Sequence, residues 1–135
     1  MKWFLLLTVF LSNMGFAQNI KKHQWKNRVL VISASAKDTF KVERQMTYFE
    51  SVSKQLLERK LVLYECVENT CTFYNYKEAP QTISAKNNPA TFSIVLFGLD
   101  GGKKFESDVV VTPDVLFSLI DRMPIRRQEI REKDN

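Results

Sequence analysis

Two apolar runs, RVLVISA at residues 28–34 and LVLYECV at residues 61–67, decide the fold of this 135-residue chain. Each is a continuous stretch rich in Val, Leu and Ile, which is typical of a strand buried on both faces of a sheet. Between the runs, apolar residues recur at helical spacing and predict one helix of about twenty residues. They are Val42, Met46, Phe49, Val52 and Leu56. A strand, a helix and a strand form a right-handed βαβ unit with parallel strands.

A second unit follows in residues 92–123. Phe92 to Phe97 is a third apolar run, and the Asp100–Gly102 stretch supplies the residues of a tight hairpin turn. Thr112 and Pro113 then suit the start of a helix whose apolar residues again share one face. The chain therefore predicts an α/β fold in which a βαβ unit precedes a ββα unit, with a mixed central sheet and flanking helices. Residues 72–89 are predicted to be mostly loop, with room for a strand extension followed by a short helical turn near Ile83.

The first residues have the layout of a secretory signal peptide. MKWFLLLTVFLSNMGFA carries one lysine, a short apolar run and small residues before the expected cleavage after Ala17. The run is shorter than the roughly 20 residues that span a bilayer, so no membrane span is expected after cleavage. We divide the chain into a signal peptide (1–17), a basic lead-in (18–27), a domain (28–132) and a tail (133–135), and expect a periplasmic or secreted protein.

The charge of the mature chain is mildly basic. One of the 20 Lys and Arg residues and none of the 15 Asp and Glu residues lie in residues 1–17, which leaves a net charge of +4. Part of the excess lies in NIKKHQWKNR at residues 19–28, where Lys21, Lys22, Lys26 and Arg28 occur without an acid, and runs of this size are usually solvated. The absence of an aromatic-basic recognition motif argues against nucleic acid. The expected partner is an unidentified protein or component of the cell envelope.

The segment from Phe92 to Arg131 carries a family resemblance. FSIVLFGLDGGKKFESD, VTPDVLFSLIDRM and PIRRQEIR follow in the order found in an uncharacterised family of exported bacterial domains of unknown function. That family is similar to the peroxiredoxin-like DUDES domains of animal extracellular proteins, and the resemblance covers roughly residues 25–132. It implies a thioredoxin-like sandwich, while the activity of the family is not established.

The stretch that would hold a thioredoxin-type nucleophile has no cysteine. Thioredoxins and peroxiredoxins place the reactive thiol after the first strand of the βαβ unit, where the helix start stabilises a thiolate. Here that stretch reads SASAKDTF, with Ser33, Ser35 and Thr39 as the hydroxyl side chains and Asp38 or Thr39 as the expected N-cap. A nucleophilic hydroxyl needs an adjacent base, and the single histidine, His23, lies in the lead-in.

The two cysteines, Cys66 and Cys71, leave three interpretations open. Export and an even count favour a structural disulfide, whose removal by changing both residues to serine should cost about 1–3 kcal/mol without unfolding the domain. The alternatives are two free thiols, or a redox pair with Cys66 as nucleophile and Cys71 as resolving thiol. Glu65 and Glu68 would raise the thiol pKa and disfavour attack. Two cysteines and one distant histidine are too few for a zinc site, so no metal and no cofactor is expected.

Two further groups of residues are candidates for binding. Arg126, Arg127 and Arg131 offer forked donors to an anion or a partner, although the same arginines suit a solvated helix paired with Asp121, Glu129 or Glu132. Three aromatic residues either line a ligand cleft or cover the edge of the sheet. They are Phe73, Tyr74 and Tyr76.

These observations predict a non-catalytic binding or structural module. The alternative is a thiol-dependent oxidoreductase or peroxiredoxin-like antioxidant that uses Cys66 and Cys71.

Overall fold

Within the residues that the structure describes, the chain forms a six-stranded mixed sheet flanked by helices. A computed structural model describes residues 19–85 and 91–135, so the signal peptide predicted for residues 1–17 lies outside the described residues. The strands are β1 (Arg28–Ala34), β2 (Leu61–Val67), β3 (Thr70–Tyr74), β4 (Gln81–Ser84), β5 (Ser93–Phe97) and β6 (Lys103–Ser107). Their order across the sheet is β4-β3-β2-β1-β5-β6. The pair β1–β2 is parallel, as predicted, and the other pairs are antiparallel.

Within the described residues, a short 3₁₀ helix (Ala36–Asp38) follows β1, and four α-helices lie between and after the strands. They are α1 (Thr39–Glu50), α2 (Ser53–Glu58), α3 (Pro113–Asp121) and α4 (Pro124–Asp134). The prediction of one continuous helix between β1 and β2 was wrong, because the chain leaves the helix at Ser51 and resumes at Ser53. Serine and β-branched valine are weak helix formers, so the helix breaks at little cost. Both halves still bury their apolar faces, through Phe49 and Leu56.

Alternation along β1 divides the core into two layers. Leu30 and Ile32 pack with the buried side chains of α1, α2 and α3. Val29 and Val31 point to the opposite face, where they pack with Tyr64 and both cysteines. All seven residues of β1 are buried, which confirms the prediction of a central strand covered on both faces.

The region predicted to be mostly loop contains two strands. Tyr64 pairs with Phe73, so β3 folds back on β2 through the two-residue turn Glu68–Asn69. Ile83 lies in β4, and the predicted helical turn there was wrong. The strand β4 is the edge of the sheet and mostly exposed, so it lacks the apolar alternation that identifies a strand. Residues 86–89 of this segment lie outside the described residues.

The predicted hairpin and the predicted helix after it are confirmed. Gly101 has a φ of 83°, and the Gly98 amide donates to the Gly102 carbonyl at 2.9 Å. Glycine adopts this backbone conformation without steric cost. Pro113 opens α3, which buries Leu116, Phe117 and Ile120. Among the described residues, no helix is long and apolar enough to cross a membrane.

Candidate functional site

Cys66 and Cys71 form a disulfide across the hairpin of β2 and β3. They are direct partners in the strand register, their sulfurs are 2.05 Å apart, and both side chains are 0% exposed. Around them pack apolar residues of the second core layer, including Val31 and Ala85. The predicted disulfide is confirmed, and it lies inside the protein rather than at an accessible loop.

The start of the helical segment after β1 is occupied by a carboxylate of the same chain. The Ala36 amide donates to Glu68 Oε1 at 2.8 Å, and the Glu68 amide donates in turn to the Ala34 carbonyl at 3.1 Å. The N-cap bond predicted from Asp38 or Thr39 is not made, and the Thr39 hydroxyl donates to the Ala36 carbonyl instead. At helix starts in other proteins such an amide can bind an anion. Here the Ala36 amide is already hydrogen-bonded to Glu68 of the same chain.

A cleft of about 380 Å³ opens between residues 19–27, the turn from α2 to β2, and the end of β3. We call it the lysine cleft, because four lysines from these segments line it. They are Lys22, Lys26, Lys60 and Lys77. The apolar part of the lining comprises Leu57, Leu61, Val62 and Phe73. Among the described residues that line the cleft, none is an acid.

His23 holds the N-terminal segment against the sheet at the inner wall of the lysine cleft. Its Nδ1 is 3.3 Å from Asn27 Oδ1 and its Nε2 is 2.7 Å from the Tyr64 hydroxyl. These partners suit a neutral imidazole that donates from Nδ1 and accepts the Tyr64 proton at Nε2. Burial raises the pKa of Tyr64 to about 12, so its hydroxyl stays a donor. The imidazole also lies against Phe73, with ring centroids 5.4 Å apart.

Burial lowers the pKa of His23, and the charges of Lys22 and Lys26 lower it further, against the bond to Asn27 that raises it. In the unfolded chain, His23 takes up its proton near the ordinary histidine pKa of about 6.5. In the folded chain, it takes up the proton only at a lower pH. We expect the free energy of unfolding to fall as the pH is lowered from about 7 to about 5, and to be insensitive to this residue above that range.

Urea unfolding of the wild type and of His23→Gln over this pH range measures the effect. Because the chain has a single histidine, the difference between the two proteins isolates its titration from that of the carboxylates. Glutamine can keep a bond to Tyr64 but does not titrate. A difference that stays constant with pH would contradict the assignment.

The structure does not bring the three candidate arginines together. Arg126 is 4% exposed and its guanidinium is committed to internal carboxylates, whereas Arg127 and Arg131 are exposed. Both exposed arginines line a depression of about 300 Å³ beside Asp121. A binding role for Arg126, Arg127 and Arg131 stays a prediction.

Arg126 belongs to a network that fastens α4 to the body of the domain. Its Nε is 3.1 Å from Asp121 Oδ1, and Asp121 also accepts from Arg59 at 2.9 Å. Burial acts to raise the pKa of Asp121, but the two arginines outweigh it and hold this pKa below its usual range. Glu129 of α4 accepts a hydrogen bond from each terminal nitrogen of Arg28, with nitrogen–oxygen distances of 3.3 Å. Arg28 is 1% exposed, although its sequence context suggested a solvated position.

The aromatic candidates divide between the two faces of β3. Phe73 lines the lysine cleft, while Tyr74 and Tyr76 stack at 6.2 Å on the other side and line a cavity of about 150 Å³ against α1. Tyr74 donates to Glu65 Oε2 at 2.9 Å. No group of three or more acidic, histidine or cysteine side chains suited to a metal ion occurs within residues 19–85 and 91–135.

Sequence reasoning missed the lysine cleft as a unit. Lys22 and Lys26 are one helical turn apart, a spacing that would have placed them together, but no local signal links them to Lys60 and Lys77. Those two lysines join the cleft because β2 and β3 pair beneath the N-terminal segment.

The family model described as "Domain of unknown function (DUF4174)" matches residues 19–129. Neither a curated protein nor a solved structure matches the chain. The matched range includes the disulfide, the lysine cleft and all six strands.

Proposed function

This chain belongs to the DUF4174 family of domains of unknown function, and from that premise we propose that it is an exported, thioredoxin-like module that binds or supports a partner without catalysing a reaction. The proposal of a thioredoxin-like arrangement is supported by the order of elements. A parallel βαβ unit (β1, α1–α2, β2) is followed by an antiparallel hairpin (β5, β6) and a helix (α3) on one mixed sheet.

The burial of the disulfide carries the non-catalytic proposal. A thiol or disulfide that exchanges with a substrate must be reached by it, and reactive cysteines lie in partly exposed, electropositive surroundings. Cys66 and Cys71 are 0% exposed and packed in the second core layer. An incoming thiolate would have to open the β2–β3 hairpin before it met a sulfur.

The helix start gives independent support. In a thioredoxin-type site, free amides at this position stabilise a thiolate or a substrate anion. In this chain Glu68 already accepts from the Ala36 amide at 2.8 Å, so a second anion would have to displace a carboxylate. The hydroxyl of Ser35 makes no cap bond that would orient it.

The proposed location of the protein is the periplasm or the extracellular space. The apolar leader at residues 1–17 supports export, and a disulfide is the expected state of paired cysteines in an oxidising compartment. A reporter fused to the C-terminus of the full chain should be exported if the leader directs export. The same fusion without residues 1–17 should stay inside the cell.

The experiment that tests the proposal is a reductase assay matched to a cysteine-free variant. The purified protein should reduce neither insulin disulfides nor peroxide faster than the dithiothreitol background, and Cys66→Ala/Cys71→Ala should behave identically. Turnover above the background that disappears in the double variant would overturn the proposal in favour of a thiol-dependent oxidoreductase. Native alkylation should label neither cysteine, and unfolding with reductant should expose both.

The same double variant should be less stable by about 2 kcal/mol, because the cross-link restricts the unfolded chain over a short loop. Alanine is preferred to serine for this measurement, since a serine pair adds two hydroxyls at a buried position and would move the loss toward the upper end of 1–3 kcal/mol. Urea unfolding of the wild type and of each double variant gives the loss in the free energy of unfolding. The wild type unfolded with and without reductant gives the contribution of the disulfide itself. A variant as stable as the wild type would show that the disulfide does not stabilise the domain.

A further inference from the structure

The charge of the lysine cleft arises from three separate parts of the chain. Lys22 and Lys26 come from the N-terminal segment, Lys60 from the turn before β2, and Lys77 from the loop after β3. Like charges that converge without an acid among the described lining residues repel one another, and a bound anion relieves that repulsion. Lysines spread along one exposed segment would not surround a single ligand position in this way.

These lysines are largely without acidic partners among the described residues. In the part of the chain that the structure describes, no ion pair includes Lys22, Lys26 or Lys77. Lys60 approaches Glu129 Oε1 at 3.8 Å, but Glu129 is already bonded twice to Arg28. At least three of the four charges are therefore available to a ligand.

The floor of the cleft is apolar and preformed. Leu61 is 1% and Val62 4% exposed, and the Phe73 ring lies beneath Lys22, whose Nζ is 5.8 Å from the ring centroid. The Phe73 ring is held by Tyr64 at 4.8 Å and by His23 at 5.4 Å between centroids. An aromatic surface fixed in this way can stack on a ring or an apolar group of a ligand.

The volume limits the size of the ligand. At about 380 Å³ the cleft lies near the lower end of the roughly 300–1,000 Å³ usual for small-molecule sites. A polymer would extend far beyond it, and a bare inorganic ion would leave the apolar floor in contact with water. His23, being neutral, adds a polar wall without adding charge.

We propose that the lysine cleft binds a small organic dianion, a phosphate monoester with an aromatic or apolar body, with the phosphate among Lys22, Lys26 and Lys77 and the body on Phe73. Lysine serves phosphate as a point charge, and several lysines around one site suit a dianion better than a singly charged group. This inference rests on the proposed function as a binding module and assigns that function a site and a ligand class.

Calorimetric titration of the purified protein at low salt with three probes tests the ligand class. Phenyl phosphate carries both the charge and the body, inorganic phosphate carries the charge alone, and phenol the body alone. We expect phenyl phosphate to bind at least about tenfold more tightly than either of the others, and its affinity to fall as salt screens the lysines. Equal binding of phenyl phosphate and inorganic phosphate would overturn the role of the apolar floor.

The variant Lys26→Gln/Lys77→Gln tests the position of the site. It should weaken phenyl phosphate binding by about tenfold or more, because two charges close to the phosphate are lost. The matched control, Lys37→Gln/Lys103→Gln, removes the same charge from exposed lysines that do not line the cleft and should leave the affinity within about twofold. All four side chains are exposed, so both variants should fold. An equal loss in both variants, or a loss in neither, would overturn the proposal.

A sedimentation assay with vesicles separates the two sources of this chemistry. Vesicles of phosphatidylcholine with phosphatidic acid present a phosphate monoester on a lipid. If the Lys26/Lys77 variant loses both vesicle and phenyl phosphate binding, the site takes lipid headgroups; if the wild type binds phenyl phosphate alone, it takes soluble esters. Vesicle binding without phenyl phosphate binding would overturn the proposal and assign the basic segment to the membrane surface.

Failure of this site and failure of the proposed function have different signatures. The reductase assay does not depend on the lysines, and the phenyl phosphate titration does not depend on the redox state of a buried disulfide. Insulin reduction together with phenyl phosphate binding would support the cleft and overturn the non-catalytic proposal. No insulin reduction and no phenyl phosphate binding would support the non-catalytic proposal and overturn the cleft.

Discussion

Replacing Glu129 with glutamine is expected to lower the free energy of unfolding by about 3–5 kcal/mol, since it leaves a buried guanidinium without its counter-charge. Arg28 is 1% exposed and contacts both carboxylate oxygens of Glu129 at 3.3 Å. The side chain of Glu129 is 14% exposed, so water replaces little of the lost interaction. Glutamine keeps the shape of the side chain, which confines the change to its charge.

Urea unfolding compares this variant with Glu132→Gln, a change on the exposed side of the same helix. The control should stay within about 0.5 kcal/mol of the wild type, because surface substitutions away from buried features have small effects. The double variant Arg28→Met/Glu129→Met removes both charges and should recover part of the loss, as hydrophobic replacement of a buried pair often does. The recovery should be incomplete, because the Arg59 carbonyl loses its bond from Arg28 and Arg126 loses its contact with Glu129. A loss below about 1 kcal/mol in Glu129→Gln would show that Arg28 is solvated.

Replacing Gln45 with alanine is expected to cost about 2–4 kcal/mol, because it leaves backbone groups unpaired and opens space in the core. Gln45 is 0% exposed on α1. Its amide donates to the Val111 carbonyl at 2.8 Å and its oxygen accepts the Val111 amide at 2.9 Å. One side chain thus supplies both hydrogen bonds of a residue in the loop that leads into α3.

The matched control is Gln55→Ala, an exposed glutamine on α2, which should change stability by less than about 0.5 kcal/mol. Gln45→Leu keeps most of the volume and removes only the polar atoms, so the difference between it and Gln45→Ala separates packing from hydrogen bonding. If Gln45→Leu matched the wild type, the two Val111 bonds would contribute nothing.

Much of the fold followed from local pattern. The strands β1, β2 and β5 are continuous apolar runs, and the face of α3 repeats at helical spacing, so each is identified by residues within a few positions of one another. The hairpin turn at Gly101 is equally local. The edge strand β4 escaped prediction because its pairing with β3, rather than its own residues, stabilises it. The break at Ser51 and Val52 escaped prediction because weak helix formers permit a break without requiring one.

The candidate site was predictable in one part only. An even number of cysteines, together with the prediction of an export leader, favoured the disulfide, and the structure contains it. The lysine cleft was not predictable, since Lys26 and Lys77 line the same cleft only because β1 pairs with β2 and β2 pairs with β3.

The sequence by itself determined the strands β1, β2 and β5 and the helix α3, and it favoured a disulfide between the two cysteines. Only the tertiary structure decided where the polar residues lie: Arg28, expected in a solvated basic run, and Gln45 are both buried, while Lys26 and Lys77 line one cleft. The reason is physical. Apolar periodicity expresses burial within one element, but a polar group is buried only where a partner meets it, and for Arg28 that partner lies 101 residues away.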